Sequence, residues 1–252
     1  MIQFSRRKLI LSGLAATAGA SGLVAAARIA QKYGLVPPDH GGLYGLGETL
    51  TYASQRLLTR HSLAREFPRS MISPRPFPNE LGPLTDDFKR LQAGGFADWR
   101  LSVDGMVAQP ASFSISELKS FPSRSHITEI VCEEGWSYVA EWTGVPLSHV
   151  LNLVGVHPQA RYVVYVSTEP DTWDSIDMAD ALHPQTFLCY GMNGSELPVP
   201  HGGPLRMRLP RHIGYKNIKF VNRLTVTDSM KKFGKGLGSA AAEAGYAWYT
   251  GI

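Results

Sequence analysis

The chain has 252 residues, of which 44% are hydrophobic and 18% are charged, so it can bury a sizeable core in one or two domains. Its formal net charge is +4, and Arg6, Arg7 and Lys8 supply three of these charges. The remainder is close to neutral, so the charge gives no reason to expect binding to nucleic acid.

The first 28 residues have the pattern of an export signal. The twin arginine Arg6-Arg7 precedes an apolar stretch rich in Ala and Gly from Leu9 to Ala27, and "AAA" before Arg28 offers a cleavage site. We expect export through the twin-arginine route, to the periplasm or its equivalent; an uncleaved membrane anchor and a cytosolic helix are the alternatives. That route is typical of proteins that fold around a cofactor in the cytoplasm.

The rest of the chain divides into three segments by composition. Residues 29–95 are rich in Gly, Pro and Arg, which predicts an irregular arm that wraps the core and contains a short helix at 50–65. Regular patterning over 96–228 predicts a single mixed α+β domain in which strands dominate. Residues 229–252 are expected to form a loose, aromatic-ended extension.

Short-range signals place the elements of the first half of this domain. Asp104-Gly105 predicts a hairpin, and Ser114 with Glu117 has capping-box spacing at the start of a helix that Pro122 ends. The run "SHITEIVC" predicts a strand with Cys132 at its end.

Local signals also predict strands and helices in the second half of this domain. Leu147 to Val154 carries apolar residues at helical spacing, with Gly155 beyond its last turn. "ARYVVYVST" predicts a strand buried on both faces, and "SIDMADALHP" predicts a short helix. A second hairpin turns at Asn193-Gly194, and "GPLRMRLPRHIGYKNIKFVNRLTVTD" predicts two or three strands around a basic loop.

Only two cysteines occur, and no CxxC, haem-attachment or zinc spacing surrounds them. Cys189 lies in a short apolar run and is expected to be a small buried hydrophobe. Cys132 stands where a strand becomes a polar loop, a common position for functional groups, although an inert buried thiol is the simpler interpretation. A thiolate there would suit a thiophilic metal, whose other ligands would have to come from a cofactor.

A basic pattern follows downstream. Arg206 and Arg208 alternate with apolar residues, so one strand face is basic. That face is continued by further cations around Gly214, namely Arg211, His212, Lys216 and Lys219. Either the strand is a solvated basic edge, or it binds a phosphate-bearing cofactor through Arg forks and loop amides.

Three stretches together resemble a known family: "CEEGWS", "WTGVPL" and "YGMNGSELPVPHGGPLRMRLPRHIGYKNIKF". They are similar, in order and spacing, to the oxidoreductase molybdopterin-binding domain of the sulfite oxidase superfamily, over about residues 95–228. Within it, the closest resemblance is to the periplasmic methionine sulfoxide reductase catalytic subunits. The resemblance implies a strand-rich sulfite-oxidase-type fold and a molybdenum–molybdopterin cofactor.

Carried over position by position, the resemblance makes Cys132 the thiolate ligand to molybdenum. It also implies that six residues contact the cofactor: Ser167, His201, Arg206, Asn217, Ile218 and Lys219. Trp136 and Ser137 would orient the thiolate loop.

The sequence also departs from its relatives. The tyrosine that sulfite oxidases carry beside the metal falls near Thr172 or Trp173, and their Arg-Asn-His run is missing. "SPRPFPNEL" stands where the reductases have Asn-Asn-Phe-Tyr-Glu, so Arg75 or Asn79 would have to substitute. The dimerisation domain of sulfite oxidases is not expected after residue 228, which predicts a monomer.

The leading hypothesis is an exported oxidoreductase that transfers one oxygen atom and two electrons, reducing an S-oxide (methionine sulfoxide-like) or an N-oxide. No haem or iron–sulfur motif is present, so a separate carrier, a membrane cytochrome or a quinone-linked subunit, would supply the electrons. The alternatives are a sulfite dehydrogenase with a rearranged anion site, a non-catalytic cofactor-binding subunit, and a hydrolase that pairs Cys132 with His126 or His149. Glu133 or Glu134 would relay protons, unless both are solvated loop carboxylates.

Overall fold

A computed structural model describes residue 30 and residues 34–79, 82–83 and 85–251, and in this part of the chain the fold is mixed α+β with strands dominant. The predicted twin-arginine segment, residues 1–28, lies outside the described residues. None of the described helices is both long enough and apolar enough to span a bilayer.

The strands are β1 Arg100–Gly105, β2 Ala111–Ser114, β3 Arg124–Val131, β4 Ser137–Pro146, β5 Tyr162–Ser167, β6 Trp173–Asp177, β7 Phe187–Met192, β8 Ser195–Glu196, β9 Arg206–Arg208 and β10 Val221–Thr227. The α-helices are α1 Gly45–Leu58, α2 Asp86–Ala93, α3 Ile115–Ser120, α4 Leu147–Val154, α5 Met178–Ala181 and α6 Ala240–Glu243. Short 3₁₀ turns occur at Pro38–Gly41, Arg69–Met71, Val199–His201 and Gly214–Lys216.

The strands form two sheets. The first has the order β2-β1-β10-β5-β6, in which β1 and β10 are parallel and the other pairs are antiparallel. The second has the order β3-β4-β7-β8 with β9 beside β7, and is antiparallel throughout. The largest cluster of buried apolar side chains takes residues from both sheets and from α4, so one core joins them.

The arm bonds to the second sheet at two places, along β3 and along the part of β4 that β7 does not pair with. Ser73 N–H donates to Val139 O at 2.9 Å, and Phe67 N–H donates to Ile127 O at 2.9 Å. These bonds occupy backbone groups of β3 and β4 that would otherwise form an unpaired edge.

Several predicted elements are confirmed. Ser114 Oγ accepts from Glu117 N–H and Glu117 Oε2 accepts from Ser114 N–H, so the capping box is complete. Helix α4 has the predicted bounds. The second hairpin turns through Asn193 and Gly194, both with positive φ, as a two-residue turn of this sequence requires.

The Asp104-Gly105 signal has a different meaning from the one predicted. Strands β1 and β2 do form a hairpin, but residues 106–110 make its loop. Gly105 lies at the end of β1 against β10, where a Cβ atom would come within 2.1 Å of Val226 O. The glycine permits this close approach of two backbones rather than a tight turn.

Three other expectations are wrong. The predicted helix at 50–65 begins at Gly45 and ends at Leu58, and Ser175 to Asp177 belong to β6 instead of a helix. The C-terminal extension is not loose in its described part, because Trp248 is buried and its N–H donates to Asp39 Oδ2 at 2.8 Å. These contacts join segments far apart in sequence, which local patterns do not reveal.

Candidate functional site

Cys132 lies one residue beyond β3, in the turn that leads into β4. Its N–H donates to Trp136 O at 2.9 Å, and its carbonyl accepts from Gly135 N–H at 3.1 Å. The thiol is therefore held at a strand end by a short closed turn, and it is 7% exposed.

The basic loop after β9 packs directly against this turn. A Cβ atom at Gly214 would lie 3.1 Å from the Cα of Cys132 and 3.1 Å from Val131 O. Only glycine allows the two backbones to approach this closely without displacing either one. The two sequence blocks that carry the family resemblance thus meet in space.

A cavity of about 190 Å³ lies where the turn and the loop meet. Five of the seven predicted site residues line it: Cys132, Arg206, Asn217, Ile218 and Lys219. Its other lining residues are Pro78, Asn79, Ile130, Glu133, Trp136, Tyr138, Glu169, Thr172, Gly214 and Tyr215.

The other two predicted residues lie behind the lining. Ser167 is buried at the end of β5; its Oγ accepts from Glu169 N–H at 3.0 Å and its N–H donates to Thr172 O at 2.9 Å. It shapes the turn whose other residues reach the cavity. His201 is buried with its ring Nδ1 3.2 Å from the Tyr138 hydroxyl, and it supports the cavity through that side chain.

Arg206 is buried and uses both terminal nitrogens inside the protein. They donate to His201 O and to Asn217 O, each at 2.7 Å. Its Nε has no hydrogen-bond partner among the described residues. The side chain therefore fixes the loop while one polar atom beside the cavity stays unsatisfied.

Arg208 is fully buried and holds β9, β3 and the loop together. Its guanidinium donates to Asn217 Oδ1 at 2.7 Å, to Thr128 Oγ1 at 3.0 Å and to Glu129 O at 2.6 Å. Burial, and then the charge of Arg206, lower the pKa of Arg208 to about 9. The interpretation as a solvated basic strand is therefore wrong.

The two arginines share an aromatic neighbour but no described anion. Their Cζ atoms lie 5.2 Å and 5.0 Å from the ring centroid of Trp142, a cation–π distance. None of the ion pairs between described residues includes Arg206 or Arg208. Burying a charge that no described carboxylate neutralises is costly.

The other cations of the basic stretch serve a structural role. Arg211 and His212 bind Asp180, at 3.3 Å and 2.7 Å, and Lys216 pairs with Asp174. Although burial would raise it, His212 and Arg56 hold the pKa of Asp180 well below its usual range. The predicted single basic face is thus divided, and only Arg206 and Lys219 of it line the cavity.

The Asn217 side chain forms the loop rather than projecting freely into the cavity. Its Oδ1 accepts from Arg208 and from Leu209 N–H, and its Nδ2 donates to Ile213 O at 3.1 Å. Lys219 Nζ donates to Pro78 O at 2.7 Å, which ties the arm to the loop across the cavity lining.

Burial raises the pKa of the Cys132 thiol to about 11, and the Glu133 carboxylate, with Oε2 3.3 Å from Sγ, adds to the rise. A thiolate at neutral pH therefore needs a cation beside it. Burial, with Arg206 and Lys219, lowers the pKa of His201 to about 4, so its imidazole is neutral. Among the described residues, no group of three or more His, Cys, Asp or Glu side chains is placed to hold a metal.

The residues proposed for a hydrolase do not meet. His126 Nδ1 lies 2.9 Å from Glu66 Oε1, and the His149 ring packs against Phe121 with centroids 5.2 Å apart. Neither histidine lines the cavity that contains Cys132. Cys189 is buried in β7, as expected for an apolar filler.

Of each pair of alternative residues, one lines the cavity. Thr172 lines the cavity, whereas Trp173 packs against Phe233. Asn79 lines the cavity with φ +64, whereas Arg75 is exposed outside it. Of the two candidate substitutes in the arm, only Asn79 is in position.

Sequence reasoning missed an aromatic wall. Trp136 stacks on Tyr138 with centroids 5.8 Å apart and planes 9° apart, and Phe77 contacts the edge of Trp136 at 5.3 Å. The signal was present, because Trp136, Tyr138 and Trp142 occur at even spacing and so share one face of the strand.

The comparison with protein families decides the identity. The chain matches the family described as "Oxidoreductase molybdopterin binding domain" over residues 90–233, more than half of its length. The chain belongs to this family. It is an oxidoreductase of the molybdopterin-binding class, as its sequence predicted.

Individual relatives agree. The chain is 37% identical over 195 residues to "Putative protein-methionine-sulfoxide reductase subunit YedZ1" of Azospira oryzae, covering 77% of the chain and 70% of that protein. It is 32% identical over 161 residues to "Protein-methionine-sulfoxide reductase catalytic subunit MsrP" of Xanthomonas axonopodis pv. citri, covering 58% of the chain and only 50% of the relative. The chain thus spans about half the length of the MsrP relative.

A solved structure confirms the sulfite-oxidase-type fold. The sulfane dehydrogenase SoxCD from Paracoccus pantotrophus is similar with a TM-score of 0.51 and 26% identity. The match covers 53% of this chain and 39% of that one.

Proposed function

We propose that the chain reduces S-oxides of the methionine sulfoxide type at a molybdenum–molybdopterin cofactor, with Cys132 as the protein's ligand to the metal. The observation that carries the proposal is the cavity between the Cys132 turn and the β9 loop, where a thiol faces a buried guanidinium that has no described carboxylate partner. The names of the relatives support the substrate class.

The residues fit such a cofactor chemically. Its dithiolene sulfurs and Cys132 are soft ligands suited to molybdenum, and its phosphate would give the unpaired Arg206 Nε an acceptor. At about 190 Å³ the cavity is smaller than the roughly 300–1,000 Å³ of typical ligand sites. The bond from Lys219 to Pro78 joins two parts of its lining.

When bound, the cofactor supplies a two-electron centre for the reaction R₂SO + 2e⁻ + 2H⁺ → R₂S + H₂O. The protein's part is to hold and orient. The Cys132 turn and Gly214 would hold the thiolate in place, and Arg206, which donates to Asn217 O, fixes the loop that would bind the phosphate. Glu133 lines the cavity and is placed to pass protons from solvent.

The site favours a neutral S-oxide over sulfite. An anionic substrate needs free donors beside the metal, but the terminal nitrogens of Arg206 are bonded to His201 O and Asn217 O. By the family resemblance Thr172 falls near the position of the oxidases' tyrosine, although Tyr138 and Tyr215 supply phenols elsewhere in the lining. A sulfite dehydrogenase therefore remains the second candidate, and substrate assays separate the two.

We also propose export by the twin-arginine route and electron supply by a separate membrane-bound carrier. The Arg6-Arg7 pair with its apolar run supports the first. The word "subunit" in the names of the relatives supports the second.

The test compares wild type with Cys132→Ala and with the matched variant Cys189→Ala, all produced in a host that makes the cofactor. Wild type and Cys189→Ala should contain molybdenum and reduce methyl sulfoxides with a reduced dye as donor. Cys132→Ala should lose activity and change the electron paramagnetic resonance spectrum of the metal. Absence of molybdenum from all three, or an unchanged spectrum in Cys132→Ala, would refute the assignment. Oxidation of sulfite with inactivity on S-oxides would favour the second candidate.

A further inference from the structure

Helix α1 exposes leucines on its outer side. Leu46, Leu50 and Leu57 are 77%, 63% and 71% exposed. At 3.6 residues per turn, these three leucines lie within an arc of about 40° around the helix axis. The centre of that arc is about 120° around the axis from the buried pair Tyr52 and Arg56. A surface helix normally carries polar residues on its solvent-facing side, so we expect another molecule or surface to cover these leucines.

The helix has no charge on that outer side. Its two charged residues are Glu48, which is partly buried, and Arg56, which is buried. The last residue of the helix, Leu58, is also exposed, and further exposed apolar side chains lie before and after the helix at Leu43, Tyr44 and Leu63. Single exposed leucines are ordinary, but a contiguous set marks an interaction surface.

Basic residues border this leucine face. Arg60, His61 and Arg65 are exposed just beyond α1. The acidic residues of this segment are Asp39, which is buried, Glu48, which is partly buried, and Glu66, whose Oε1 lies 2.9 Å from His126 Nδ1. The rim of the leucine face is therefore cationic, which complements an anionic surface.

A second cavity lies beside Leu57. Its volume is about 600 Å³, and Arg60 and Arg161 are both part of its lining, together with apolar side chains such as Leu35 and Met178. The carboxylate in the lining, Asp177, is paired with Arg56. A largely apolar lining that also contains the two cations Arg60 and Arg161 suits a phosphate headgroup with its first methylenes.

The position of this face along the chain points to lipid as well. In the sequence, the apolar run Leu9–Ala27 ends 16 residues before Leu43. Ala30, three residues after that run, accepts at its carbonyl from Leu35 N–H at 2.7 Å. Leu35 lines the same cavity as Leu57, so a bilayer that receives the run is within reach of α1.

We propose that the leucine face of α1, with its basic rim, docks on a lipid bilayer that contains anionic lipids. The helix lies in the plane of the interface, with Leu46, Leu50 and Leu57 among the first methylenes and Arg60 at the headgroups. The docking does not depend on the metal. The docking experiment can therefore fail while the proposed function holds, and the proposed function can fail while the docking is observed.

The test uses the full chain with its cofactor, reconstituted with vesicles of phosphatidylcholine and phosphatidylglycerol. Leu50→Trp places a fluorophore on the leucine face, and the matched variant Leu153→Trp places one on α4, where the native leucine is also exposed. Because both sites are exposed, folding should be unaffected. Wild type supplies the background of the five native tryptophans.

Brominated acyl chains should quench the added emission of Leu50→Trp about twofold and leave that of Leu153→Trp unchanged, and high salt or Arg60→Glu should weaken the effect. The comparison removes the contribution of an attached N-terminal anchor, which tethers both variants equally. Absence of bromolipid quenching at Leu50→Trp overturns the proposal. A blue-shifted but unquenched emission with a doubled particle mass would instead make the face a contact between two copies. Quenching that required an added membrane protein would make it a protein interface.

Discussion

Substitution of Gly214 by alanine tests the contact on which the site depends. The new Cβ would lie 3.1 Å from Cys132 Cα and 3.1 Å from Val131 O, against an optimum of about 3.5 Å or more for carbon contacts. Both are backbone atoms, so no side chain can rotate away, and the loop and the turn must separate by roughly 0.4 Å. The φ of Gly214 is not in the left-handed region, so the effect is steric. We expect a loss of about 1–3 kcal/mol in the free energy of unfolding.

Urea denaturation of the Gly214→Ala variant measures this loss, and electron paramagnetic resonance of the loaded enzyme reports the displacement of the thiolate. Gly41→Ala is the control, because a Cβ there meets no described atom within 4 Å. If Gly214→Ala were as stable as wild type and had an unchanged metal spectrum, the loop and the Cys132 turn could not be in the contact described.

Three further substitutions test the supports of the site. Arg208→Met should lower the free energy of unfolding, measured by urea denaturation, by roughly 3 kcal/mol. Arg208→Lys should not recover this stability, because a lysine cannot reach all three acceptors. Full stability of either variant would contradict this. Arg56→Gln should lower the free energy of unfolding by about 3–5 kcal/mol, because Asp177 and Asp180 each lose one buried partner. The variant should also make α1 sensitive to limited proteolysis, and unchanged resistance to the protease would count against this role. The pKa of His201 is lower in the folded protein than in the unfolded chain, so the unfolded chain gains a proton first as the pH falls. Between pH 6.5 and 4 the free energy of unfolding of wild type should therefore fall by roughly 1–3 kcal/mol more than that of His201→Gln. Parallel curves of stability against pH for the two proteins would exclude this role.

Local signals predicted the elements that local physics determines. The capping box at Ser114, the turn at Asn193-Gly194 and helix α4 follow from residues within a few positions of each other. The position of Cys132 at a strand end could be predicted for the same reason. The family resemblance added the pairing of the Cys132 turn with the β9 loop, which no local pattern contains.

The division of labour among the cations could not be predicted. Alternation shows that Arg206 and Arg208 share a strand face, but it does not show whether water or Trp142 lies opposite. Likewise Lys216 looks equivalent to Lys219 in the sequence, yet one pairs with the buried Asp174 and the other lines the cavity. In each case the deciding partner lies on another strand, and only the register of the sheets brings it into contact.

Asp180 shows how far that non-local order extends. Its carboxylate accepts hydrogen bonds from Arg56 of α1 and from His212, which is two residues before Gly214. The helix that carries the leucine face and the loop that packs on Cys132 are thus bound to one buried carboxylate. Because that carboxylate is buried and ionised, neither of these two side chains can leave it without a large cost. The arm is therefore part of the scaffold that fixes the thiolate, although its own sequence shows weak periodicity and carries none of the family's motifs.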